Sequence, residues 1–102
     1  MADPLTLRDL VDRALVGYGE LIALGEEIED EWSYVNDLAT AWQERMEAVA
    51  TSRGDEPASA AQGTAIDTAL EHVARIEDPH RAIDWLSTFP QVVLLALGES
   101  RP

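Results

Sequence analysis

The sequence predicts an all-α protein: a long N-terminal helix, or a helical hairpin broken near Gly25, followed by three shorter C-terminal helices. Three observations predict it. From Leu7 to Val49 an apolar or small residue recurs at alternating spacings of four and three, the rhythm of a helix that lays one seam against another helix. Cap-and-proline junctions at Asp78-Pro79 and Thr88-Phe89-Pro90 divide the C-terminal half into short helical pieces. Residues 92–97 are apolar enough for a strand, but no second segment could pair with them.

At 102 residues the chain is long enough for one domain with a modest core. It divides into a helical arm over 5–52, a linker over 53–57 and a cluster of short helices over 58–98. The arm begins near Pro4 to Thr6. Asp3 can cap it with Pro4 in the first turn, or Thr6 can cap it with Asp9 three residues on.

The seam runs through Leu7, Val11, Ala14, Tyr18, Leu21 and Gly25, then Ile28, Trp32, Val35, Ala39, Trp42, Met46 and Val49. Its phase is unbroken across Gly25, and neither a proline nor a polar cap follows that glycine. This favours a continuous helix. At 1.5 Å per residue it would be roughly 70 Å long, which implies an elongated homodimer or one arm of a complex. The alternative is a compact antiparallel hairpin, with Gly25 ending one helix and Glu26 and Glu27 opening the next.

Thr51-Ser52-Arg53-Gly54-Asp55-Glu56-Pro57 has the composition of a linker. Its Arg-Gly-Asp tripeptide is given no functional weight. The next helix spans about 59 or 64 to 77, with Ala65, Ile66, Ala69, Leu70, Val73 and Ile76 on its apolar face. Asp78 caps a short helix over 79–88. A last one over 90–97 is apolar all round and is expected to be buried on most sides, with Gly98 ending it.

Charge narrows the function. Twenty acidic residues against seven arginines, with no lysine, give a net charge of −13. Such a surface repels phosphates and anionic membrane, so direct nucleic-acid binding and membrane binding are not expected. A basic protein surface is the natural partner. The same acidity also serves solubility alone in a salt-rich cytoplasm. Without cysteine there is no disulfide framework or thiolate metal site. The N-terminus lacks the basic and apolar regions of a signal peptide, so the chain is expected to be cytoplasmic.

The acidic knot Glu26, Glu27, Glu29, Asp30 and Glu31 places Glu27 with Glu31, and Glu26 with Asp30, on shared helix faces. Paired carboxylates at this spacing can hold magnesium. The arrangement loosely resembles the all-α nucleotide pyrophosphohydrolases, and that resemblance implies a magnesium-dependent hydrolase. Those families use a second acidic pair downstream. Asp67 with Glu71, or Glu77 with Asp84, are the best offers here, and neither spacing matches. His80 and Asp84 lie four apart, but a third metal ligand is missing. No nucleophile elbow, phosphate loop or zinc spacing is present.

These readings converge on a non-enzymatic interaction module that needs no cofactor: a subunit, adaptor or assembly factor acting on a protein partner with a basic or apolar helical surface. Trp32, Val35, Trp42 and Met46 on the seam, with Glu27, Asp30 and Glu31 in the knot, are the candidate partner-binding residues. Aromatic anchors are favoured at interfaces, and Trp32 stands among the carboxylates. The alternatives are an acidic inhibitor that mimics nucleic acid and the magnesium enzyme.

Overall fold

The computed structural model describes residues 5–99, which form four α-helices: α1 (Leu7–Gly25), α2 (Glu29–Arg53), α3 (Ala60–Ala74) and α4 (Pro79–Ala96). Thr6 caps α1. Its hydroxyl accepts the Asp9 N–H at 3.4 Å, and the Asp9 carboxylate accepts the Thr6 N–H at 2.9 Å. The alternative cap at Asp3 and Pro4 lies outside the described residues. The next two donors of α1, the N–H groups of Leu7 and Arg8, bond the carbonyls of Glu56 and Gly54 at 2.9 and 3.2 Å, and Ala58 N–H reaches Leu5 O at 2.8 Å. The 53–57 linker therefore satisfies helix-terminal groups that would otherwise be orphaned.

The continuous first helix does not form; the chain takes the hairpin form, with a turn at residues 26–28. The N–H groups of Glu26, Glu27 and Ile28 fold back onto the carbonyls of Ile22, Leu24 and Gly25. Gly25 is buried, and a β-carbon there would sit 3.2 Å from Ile83 of α4, so close packing uses the missing side chain. The α2 N-cap, Ile28, makes no side-chain capping bond, but Glu29, Asp30 and Glu31 occupy the first turn. Negative charge there complements the helix dipole. In a hairpin each helix needs only its own apolar stripe, so the unbroken phase across Gly25 carries no information about continuity. The radius of gyration is 13.7 Å, close to the ~13 Å of a compact chain this long.

Long-range pairs fix an up-down-up-down order. Arg8 of α1 reaches Ala50 near the end of α2, while Arg13 and Asp67 pair along α1 and α3. Glu31 and His80 join the starts of α2 and α4, and Arg53 and Glu99 join their ends. Helices α1 and α4 form the inner pair. Helices α2 and α3 flank them and do not touch each other.

The seam of α1 is wholly buried, and Ala39, Met46 and Val49 of α2 enter the same core. From α4 come Leu86, Phe89 and Val93, and from its C-cap Leu97. The Tyr18 and Phe89 rings stack with centroids 6.1 Å apart.

Ser59 and Gln62 form a capping box that opens α3, and Asp78 caps α4 by accepting the His80 N–H at 3.0 Å. The expected junction at Pro90 is absent. The last two short helices are one, and Pro90 is buried inside it, so two helices rather than three follow the linker. The segment over 90–97 is also less enclosed than expected. Val93, Leu94 and Leu97 are buried, but Val92 and Leu95 face solvent because, among the described residues, no element covers that side of α4.

Candidate interaction surface

The expected partner-binding residues separate onto two sides of α2. Met46 is 0% exposed. Trp32, Val35 and Trp42 are half-buried and pack against the core. The Arg45 guanidinium lies over the Trp42 ring, 4.7 Å from its centroid, a favourable cation–π contact. Glu27 lies exposed in the α1–α2 turn, and Asp30 and Glu31 lie exposed in the first turn of α2. The Glu31 carboxylate accepts a bond from His80 Nδ1 at 3.0 Å, so it is engaged within the fold. Trp32 is thus not an aromatic ringed by carboxylates. It packs beneath the turn, beside Gly25. The seam is filled by the chain's own helices, which removes the reason for expecting a homodimer through it.

A second register on α2 points outward. Tyr34, Leu38, Ala41, Arg45, Ala48 and Ser52 follow one another at spacings of four and three. Tyr34 is 87% exposed and Leu38 44%. Ala41, Ala48 and Ser52 are exposed as well, and Arg45 is turned back onto Trp42. Beside this stripe, on the side of α2 away from α4, Asp30, Asp37 and Glu44 recur every seventh residue, all exposed. In the sequence this stripe is overshadowed, because the inward seam is richer in large apolar residues. The signal that could have found it is the same four-three spacing begun at Tyr34.

The acidic pairs considered for magnesium do not converge. Glu27 lies in the turn before α2 and Glu31 in its first turn, whereas Asp67 and Glu71 lie on α3, which α2 does not touch. Asp67 is also paired with Arg13 at 3.3 Å. Among the described residues, no group of three or more His, Cys, Asp or Glu is placed to hold a metal ion. His72 stacks on Trp85 with centroids 4.2 Å apart, and His80 pairs with Glu31 rather than Asp84. A shallow depression of about 340 Å³ between α1 and α3 is lined by Arg13, Val16, Gly17, Glu20, Leu70 and Val73. It offers neither a nucleophile nor a general base with a partner. No described helix is long and apolar enough to cross a membrane.

The chain matches no protein-family model, and neither curated proteins nor solved structures yield a match.

Proposed function

We propose that this protein is a small acidic interaction module, a non-enzymatic subunit, adaptor or assembly factor that works in the cytoplasm through the outer face of α2. The observation that carries this reading is the solvent exposure of Tyr34 and Leu38 on a heptad-spaced stripe of a helix whose other face is already packed. An exposed tyrosine beside a leucine on a helix is the kind of anchor that interfaces use, because little side-chain entropy is lost on binding. A mimic of nucleic acid would need the carboxylates but has no use for an apolar stripe among them. The net charge of −13 supports a protein partner over direct contact with nucleic acid or membrane.

Site-specific photo-crosslinking tests this reading. A photoreactive phenylalanine analogue placed at Tyr34 or Leu38 in the native cell should give a discrete adduct of fixed mass. The same analogue at Val16 of α1 or Thr40 of α2, both exposed on other faces, should not. Equal labelling from all four positions, or none from Tyr34 and Leu38, overturns the proposal.

A further inference from the structure

We infer that the occupant of this face is a single cationic amphipathic helix lying along α2 in heptad register, an inference that rests on the proposal that the protein makes contact through α2. The shape of the stripe argues for a helix. Tyr34 and Leu38 stand out at one end, and Ala41, Ala48 and Ser52 let a second backbone approach closely along the rest. From residue 34 to 52 the stripe extends about 27 Å, the length of one helix of about 18 residues. Apolar residues at a and d positions of such a helix would meet the stripe as knobs meet holes.

The charge argues for cations on that helix. Asp30, Asp37 and Glu44 lie about 10.5 Å apart along one edge of the stripe. They occupy the flanking positions from which coiled coils select partners by charge. Among the described residues none of the three forms an ion pair, whereas Arg8, Arg13 and Arg53 are committed to Asp55, Asp67 and the Glu56–Glu99 pair. A partner with Lys or Arg at every seventh residue would therefore meet three free carboxylates in turn. A second copy of this chain fits poorly. Each copy carries −13, and antiparallel pairing through the stripe would set the two carboxylate rows against each other.

The test uses a synthetic helix of about three heptads, with Leu and Ala at a and d and Lys at the flanking positions, and a twin carrying Glu in place of Lys. Calorimetry at low salt should show one-to-one binding of the Lys peptide and binding at least about tenfold weaker of the Glu twin. The protein carrying Asp37→Lys and Glu44→Lys should lose about tenfold in affinity for the Lys peptide and gain affinity for the Glu twin. All these positions are exposed, and circular dichroism verifies that the variants stay folded. No binding of the Lys peptide, or equal binding to the charge-reversed protein, overturns the inference. So does a dimer in light scattering that Tyr34→Ala dissociates, because a second copy then occupies the face. If crosslinks form from Tyr34 while the Lys peptide does not bind, the contact surface stands and only the nature of its partner falls.

Discussion

The Tyr18 hydroxyl of α1 donates a hydrogen bond of 2.6 Å to the main-chain carbonyl of Leu86 in α4. That carbonyl lies four residues before Pro90. In an uninterrupted helix it would accept the N–H of residue 90, which proline lacks. A side chain from a neighbouring helix thus supplies the donor that the proline removes. This is why α4 continues through a residue that marks a helix junction in the sequence, and it ties the inner pair of helices together at mid-height.

Tyr18→Phe should destabilise the protein by about 1–3 kcal/mol, since the buried Leu86 carbonyl loses its donor. With Pro90→Ala in place, the restored N–H can serve that carbonyl, and the loss from Tyr18→Phe should shrink. Urea denaturation of the two single variants and the double variant measures this coupling. Additive effects would mean that the hydroxyl does not replace the proline's missing donor.

The same burial sets an alkaline limit. It pushes the Tyr18 hydroxyl well above the ordinary tyrosine range. The folded state holds this proton more tightly than the unfolded state. Tyr18's contribution is therefore complete below pH about 10, where an unfolded tyrosine titrates, and is lost as the pH rises further. Urea midpoints measured upward from pH 8 should fall, and the fall should be shallower in Tyr18→Phe.

At the end of the bundle where α2 stops, Arg53 beside Glu56 holds that carboxyl below its usual range. The depressed value gives a contribution present above the ordinary carboxylate range and lost as the pH falls through it. Glu56 is exposed and Arg53 only half-buried, so solvent screening keeps the effect small. Glu56→Gln should flatten a slight part of the acid limb of the stability profile. An unchanged limb would show that the pair adds nothing to folding.

Two glycines should respond in opposite directions to alanine. At Gly19, in the exposed middle of α1, a β-carbon meets nothing. Gly19→Ala should stabilise by about 1 kcal/mol, or roughly 4–8 °C in Tm. At Gly54 a β-carbon would run into the Ala50 carbonyl oxygen and the Arg8 guanidinium. Gly54→Ala should cost about 1–3 kcal/mol. Calorimetric melting of both variants gives the two signs directly.

The helical class, the Thr6 and Asp78 caps and the inward stripe of α1 were legible because each depends on residues close in sequence. The turn after Gly25 was legible only as the alternative to a continuous helix. It has no side-chain cap, and the packing of Ile83 against Gly25 joins residues more than fifty positions apart in the chain. Continuity through Pro90 was hidden for the same reason, since the compensating donor sits in α1. The candidate surface was half legible. Asp30 was singled out, but the aromatic beside the carboxylate row is Tyr34 rather than Trp32. A periodicity shows that a seam exists without showing whether the chain covers it itself.

That last distinction gives the prediction that bears most on function. Met46 and Leu38 lie eight residues apart on α2, one in the inward seam and the other in the outward stripe. If the inward seam is core, Met46→Ala should cost about 2–5 kcal/mol, as truncation of a buried side chain does. Leu38→Ala should change stability by no more than about 0.5 kcal/mol, in line with an exposed site. The expected effects on partner contact are reversed: Leu38→Ala should weaken crosslinking from Tyr34 while the protein stays folded. Met46→Ala should leave it intact at temperatures where the variant remains native. If Met46→Ala left stability unchanged and abolished contact, the inward seam would be the binding face after all, and the bundle would have to open to use it.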